Sequence, residues 1–226
     1  PNGASTKRWN SASFQMNSLA SKRGRGTYVK GRSMAPTPSR IHEFLRLLSD
    51  LGVRYHVGGS FASSAWGEPR QTNDLDIAVV MSRADIERLY EIVKEDYMCS
   101  FDEMIWALSA TTDFPCFQLM HTDATFKVDV FVLPASEYTE ATLSRARPFR
   151  IASDFEAPFA CPEDTVITKL RWFELGNRVS DKQWNDIVGV LEMQSGDLDE
   201  DYLNRWTQHF GLKELLDKAR SQVTPP

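Results

Sequence analysis

Residues 55–80 restrict the possible folds of this chain more than any other stretch. They read YHVGGSFASSAWGEPRQTNDLDIAVV. The pattern predicts a short strand, a sharp turn at Gly58 and Gly59, a helix of small residues that begins at Ser60, and a second strand. This second strand carries Asp74 and Asp76. Because residues i and i+2 of a strand point to the same face, both carboxylates are expected to project together.

The pair of acids and the turn suit complementary ligands. Adjacent carboxylates repel each other and are stabilised by a cation between them. Oxygen-only ligands favour hard ions such as Mg²⁺ or Mn²⁺. Backbone N–H groups at a helix N-terminus bind anions, and glycines let a phosphate approach closely. We therefore expect nucleotide phosphates at Gly58, Gly59 and Ser60, beside a site for metal-assisted phosphoryl or nucleotidyl transfer.

The spacing of these groups resembles a family signature. Gly58-Gly59-Ser60 is followed by thirteen residues and then by Asp74-Leu75-Asp76. This arrangement resembles the nucleotidyltransferase superfamily, whose fold is shared with DNA polymerase β. The resemblance covers roughly residues 40–220. The part from 162 to 211 is also similar to uncharacterised bacterial nucleotidyltransferases related to abortive-infection toxins of type IV toxin–antitoxin systems.

The resemblance implies a third carboxylate on a later strand, and Asp129 occupies the matching position. It lies in the segment FKVDVFV, where alternation puts Lys127, Asp129 and Phe131 on one face. The resemblance then implies that Asp74, Asp76 and Asp129 hold the metal ions and act in catalysis. The alternative is that the three residues have separate structural roles: Asp74 caps a helix, Asp76 forms a salt bridge, and Asp129 lies on a solvated strand.

Three further residues are site candidates. Arg70 lies where the family often has an arginine, and either neutralises a triphosphate or braces its loop. By resemblance alone, Lys169 is a catalytic candidate and Asp186 a nucleotide-binding one. The helical pattern leaves other roles open for both. Lys169 lies beside the apolar stripe of its helix and can extend to solvent, and Asp186 points away from the apolar face of its own.

The pattern of elements predicts an α+β fold in three parts. Residues 1–38 are a basic, disordered tail, either a nucleic-acid arm or an upstream extension with Met34 as a candidate start. Residues 39–152 form the catalytic domain, a small mixed or antiparallel sheet flanked by helices. Residues 153–226 form a helical C-terminal bundle, whose core is expected to contain Trp172, Trp184 and Trp206.

Charge and cysteine content narrow the partners and the compartment. Residues 1–40 hold eight Lys or Arg and no acid, so the rest carries a net charge of −13. An acidic body is a poor general binder of nucleic acid. No apolar run approaches the roughly 20 residues that span a bilayer, and no signal-peptide core is present. Three widely spaced cysteines suggest a reducing cytoplasm.

The leading hypothesis is an enzyme that moves a nucleoside monophosphate from a nucleoside triphosphate to an acceptor hydroxyl. The acceptor is RNA such as tRNA, a protein, or a small molecule, and a cognate antitoxin is a candidate partner. The acidic body favours a cationic small molecule or a protein, whereas the toxin-like C-terminal part favours tRNA or protein. The competing hypothesis is a catalytically silent module of the same fold that acts through protein contacts.

Overall fold

The computed structural model describes residues 38–123 and 126–223. The predicted basic tail therefore lies outside the described residues, except for its last position. The elements, in chain order, are α1 (Pro38–Asp50), β1 (Arg54–Val57), α2 (Gly59–Trp66), β2 (Asp74–Val80), α3 (Arg83–Val93), β3 (Tyr97–Met98), α4 (Phe101–Ser109), β4 (Cys116–His121), β5 (Lys127–Val132), α5 (Glu137–Arg145), β6 (Arg147–Ala152), β7 (Phe155–Phe159), α6 (Pro162–Leu175), α7 (Asp181–Met193), α8 (Glu200–His209) and α9 (Lys213–Arg220).

The strands of the described residues form one mixed sheet with the order β3-β4-β5-β2-β1-β7-β6. The pairs β2·β5 and β1·β7 are parallel, and the other neighbours are antiparallel. The predicted α+β class and mixed sheet are confirmed. The antiparallel pair of β4 and β5 and the edge strand β6 also agree with the sequence pattern.

Two elements differ from the sequence-based expectation. Strand β7 follows the predicted domain boundary at 152, pairs with β6 and reaches β1 through Val57 and Phe159. The sheet therefore continues into the part expected to be helical, and the division at 152 stays a prediction. The short helix expected at Pro134 instead begins at Glu137, because Ser136 accepts a hydrogen bond from the Thr139 N–H and caps it.

The two faces of the central strand β2 are packed differently. Leu75, Ile77 and Val79 are fully buried, which follows from the alternation of the strand. Asp76 and Ala78, on the opposite face, are only partly buried. This second face looks toward α2 and α6 and leaves room for a cavity. Within the described ranges, no helix is long and apolar enough to cross a bilayer.

Candidate active site

Three carboxylates meet on the open face of the central strands. In the parallel register, Asp76 lies directly opposite Asp129, and Asp74 lies opposite Lys127. Asp74 is exposed, whereas Asp129 is buried. The Lys127 ammonium lies 2.8 Å from Asp129 Oδ2 and 3.9 Å from Asp74 Oδ2. The structure thus brings together the three acids that the sequence singles out, with one cation between two of them.

The glycine turn fixes the position of Asp76. The Gly58 N–H donates to the Asp76 carbonyl at 2.9 Å, and the backbone of Ser60 favours the charged form of the Asp76 carboxylate. Gly59 has a φ of +53°. A Cβ at Gly59 would lie 1.8 Å from Asp76 Oδ2. Only glycine therefore lets the turn pass so close to this carboxylate.

Burial and the neighbouring acid perturb Asp76. Its pKa is raised to about 6, first by burial and then by the charge of Asp129, while Lys169 and the backbone of Ser60 oppose the rise. When the pKa of a carboxylate is raised in this way, its charged form is unfavourable on its own. A cation beside it stabilises that charged form. The electrostatics of the acidic pair at the centre of the sheet therefore favour a bound cation.

A buried ion-pair network joins α2, α6 and α7 beside the carboxylates. Arg70 donates two hydrogen bonds of 3.0 Å to Asp186 and a third to the Ser60 hydroxyl. Lys169 Nζ donates to Asp186 Oδ2 at 2.7 Å. Burial lowers the pKa of Lys169 against the attraction of Asp186. Asp186 thus holds two cations next to the glycine turn.

The network excludes the solvent-exposed alternatives that the helical pattern left open for Asp186 and Lys169. Asp186 is not solvated, because its side chain is only 9% exposed and is paired on both sides. Lys169 does not extend to solvent, because its side chain is 5% exposed. Arg70 contacts both Asp186 and the Ser60 hydroxyl, so it braces the loop onto the turn.

A cavity of about 610 Å³ opens beside this site, between the sheet and α6. Gly59, Asp76 and Lys169 line one end. The other end is aromatic. It includes Trp172 of α6 and Phe131, which lies two residues after Asp129 on the same face of β5. The carboxylates and the glycine turn therefore open into one continuous space.

Comparison with known proteins identifies the fold. No protein-family model matches the chain, and no curated protein matches it. A crystal structure of ANT(2'')-Ia in complex with adenylyl-2''-tobramycin has a TM-score of 0.52 at 11% identity, over 76% of this chain and 98% of that chain. The solution structure of the antibiotic-resistance factor ANT(2'')-Ia gives 0.50 at 11% identity, over 81% and 96%. The chain has the nucleotidyltransferase fold.

The acidic site of this nucleotidyltransferase fold suits a hard cation. Its donors are all carboxylate oxygens, the type that Mg²⁺ and Mn²⁺ prefer. Asp129 Oδ1 is buried and has no hydrogen-bond partner among the described residues. No three acidic, His or Cys side chains of residues 38–123 and 126–223 already form a metal-binding group. Lys127 instead supplies the positive charge, so a divalent ion would compete with its ammonium.

Sequence reasoning missed the aromatic end of the cavity. Trp172 is not bundle core as expected: it is 37% exposed and stacks on Phe114, with ring centroids 4.4 Å apart. Trp206 is buried as expected, although its ring lines the cavity. Phe131 could have been found, because it shares a strand face with Asp129. Phe114 lies in the loop after α4, where no periodicity marks it.

Proposed function

We propose that this protein transfers a nucleoside monophosphate from a nucleoside triphosphate to an acceptor hydroxyl. The observation that carries the proposal is the pairing of Asp76 with Asp129 on adjacent parallel strands, directly against the turn at Gly59. A phosphate cradle and a carboxylate pair are the two parts that such chemistry needs. ANT(2'')-Ia, of the same fold, has been solved with an adenylylated product, adenylyl-2''-tobramycin. Because the sequence identity to that protein is only 11%, the similarity supports the fold alone. The proposed activity is therefore argued from the residues of the site.

The triphosphate would lie along the N-terminus of α2. The backbone N–H groups of that first turn that have no intrahelical partner, and the Ser60 hydroxyl, would face its anionic oxygens. Lys169 is buried beside them and adds a positive charge that little solvent screens. Arg70 and Asp186 would act as positioning residues, since they hold Ser60 and Lys169 in place.

The carboxylates would hold Mg²⁺ or Mn²⁺ through Asp74, Asp76 and Asp129. Such ions neutralise the triphosphate and lower the pKa of a bound hydroxyl. The acceptor oxygen attacks the α-phosphorus, a new phosphorus–oxygen bond forms, and the bond to the β-phosphate breaks. Pyrophosphate leaves, and the hydroxyl proton passes to Asp129, whose Oδ1 has no other described partner.

The toxin role, the antitoxin partner and the cytoplasmic location remain proposals that the site itself does not support. A role as the toxin of a toxin–antitoxin pair, and an antitoxin partner, rest on the resemblance of residues 162–211. A cytoplasmic location rests on the unpaired cysteines, and all three are free in the structure. The silent-module hypothesis predicts that nucleotides leave the thermal unfolding of the protein unchanged.

The decisive experiment incubates the protein with each of the four α-labelled nucleoside triphosphates, Mg²⁺ and cell extract. We expect label on an acceptor and release of unlabelled pyrophosphate. Asp76→Asn and Asp129→Asn should abolish labelling without lowering the thermal midpoint of unfolding. Asp102→Asn is the matched control, because this acid lies exposed on α4, away from the cavity. Full activity of Asp129→Asn would refute the assignment.

A further inference from the structure

The aromatic end of the cavity is built from three rings around one corner. The ring centroids of Phe131 and Trp172 lie 5.8 Å apart, and those of Phe114 and Phe131 lie 6.3 Å apart, both at steep angles. Trp172 keeps 37% of its surface exposed although it stands against a cavity wall. The part of this ring that Phe114 and Phe131 leave uncovered gains free energy when a flat apolar ligand packs on it.

Three residues whose buried polar atoms have no described partner contribute to the wall of the same cavity. His56 lies opposite Ala78 in the sheet, in the row that also contains Phe131. His56 is 7% exposed and Trp206 is 3% exposed. Within the described residues, His56 Nδ1, the Tyr138 hydroxyl and Trp206 Nε1 have no hydrogen-bond partner. These three atoms are themselves inaccessible from the cavity, so they do not select its ligand.

The acids at this end of the cavity are already paired. Arg171 contacts Asp113 at 3.3 Å, and Arg205 contacts Glu137 at 2.5 Å. Asp164 accepts a hydrogen bond from the Tyr202 hydroxyl at 2.8 Å. The side chains of Asp113 and Glu137 stay 63% and 73% exposed in these pairs, so the pairs do not remove the negative charge from this end of the cavity.

A cation also stands at the edge of the aromatic end. The Arg171 guanidinium lies 4.4 Å from the ring centroids of both Phe114 and Phe210. Asp113 is the partner of this guanidinium. The lining of the cavity as a whole is acidic, because five carboxylates stand against two cations: Asp76, Asp113, Asp129, Glu137 and Asp164 against Lys169 and Arg171. The charge of the cavity therefore does not exclude a cationic acceptor.

We propose that the acceptor is a small molecule with a flat ring and a hydroxyl group, and that Trp172 is a residue that determines its specificity. The proposal rests on the proposed nucleotidyl transfer, and it names the substrate class of the same site. The ring of the acceptor packs against Phe131 and Trp172. Its hydroxyl reaches Asp129, which lies two residues before Phe131 on β5. A volume of about 610 Å³ must also hold part of the nucleotide, which favours an acceptor of small-molecule size over a polymer.

The test uses 2-naphthyl β-D-glucoside as a probe, which combines a flat ring with hydroxyl groups. Calorimetry without nucleotide measures its binding to the full chain. Trp172→Ala should weaken binding about five- to tenfold, the scale of one lost aromatic contact, and Trp172→Phe should restore most of it. Trp106→Ala is the control, because Trp106 is 53% exposed on α4 and does not line the cavity. It should leave the affinity unchanged.

A second arm measures competition for label from an α-labelled nucleoside triphosphate with Mg²⁺. We expect the glucoside to be labelled in preference to tobramycin and to bulk tRNA. Preferred labelling of tobramycin or tRNA would overturn the proposal, and so would absent binding or equal binding to Trp172→Ala. A failure of the proposed function is separate: Mg²⁺ and nucleoside triphosphate would then give no thermal shift, whatever the glucoside does.

Discussion

The close approach of Gly59 to Asp76 gives a test of the site that does not depend on the acceptor. In Gly59→Ala, the new methyl group would lie 1.8 Å from Asp76 Oδ2 and 2.4 Å from Cγ. The backbone itself is in the left-handed region, with φ of +53°. Two costs therefore add: the conformational cost of alanine there and the steric cost of moving the carboxylate.

The two costs can be separated with a matched glycine. Gly52 also has a positive φ, of +70°, but a Cβ there would meet no atom within 4 Å. Gly52→Ala should therefore cost only the left-handed term, about 1 kcal/mol of unfolding free energy. Gly59→Ala should cost that amount plus about 1–3 kcal/mol for overpacking. For a chain of this size, the difference corresponds to a midpoint lower by about 2–4 °C per kcal/mol.

Urea unfolding of both variants measures these free energies, and nucleotide labelling measures the function. Because Asp76 must shift by more than an ångström to reach ordinary contact distance, transfer by Gly59→Ala should fall about a hundredfold. Gly52→Ala should keep full transfer. Equal losses of unfolding free energy in the two variants, or unchanged labelling by Gly59→Ala, would refute the reasoning.

Three further predictions concern charge. Lys127→Met removes the ammonium that competes for Asp129, so Mn²⁺ should bind several-fold more tightly by electron paramagnetic resonance; weaker binding would contradict this. Asp186→Asn leaves buried Lys169 and partly buried Arg70 without their acid and should lower the unfolding free energy by about 3 kcal/mol, whereas Glu174→Gln on the surface should change nothing measurable. Burial raises the pKa of Asp164 to about 6, so its contribution to stability is complete below about 3.8 and is lost as pH rises through 6. The unfolding free energy of Asp164→Asn, relative to that of the native chain, should therefore rise by up to about 3 kcal/mol between pH 4 and 7 in urea titrations. A difference in unfolding free energy that does not change with pH would contradict this.

The acidic part of the site could be predicted because its information is local. Strand alternation alone places Asp74 and Asp76 on one face, and the apolar neighbours of Asp129 require a buried strand for it. The parallel register of β2 with β5 then follows from the fold that the residue spacing resembles. Here local propensity and the global fold agree, which is why the pattern suffices.

The remaining parts depend on contacts between distant segments. Asp186 and Arg70 are 116 positions apart, and no periodicity within either helix or loop reports their pairing. Helical spacing likewise does not distinguish a residue such as Trp172, which faces a cavity, from one that faces a packed core. Strand β7 was missed because Pro158 interrupts its pattern, and proline argues against a strand inside a sheet.

The parallel pairing of β1 with β7 has a consequence for how the chain folds as it is synthesised. The Ala160 N–H donates to the Val57 carbonyl at 2.8 Å, across about a hundred residues. The outer edge of β1 thus stays open until the ribosome has released residues 155–160, and late closure of such a long loop slows folding. A nascent or shortened chain that stops near residue 152 would expose this strand edge and invite aggregation. Expression of residues 1–152 alone should therefore give insoluble material.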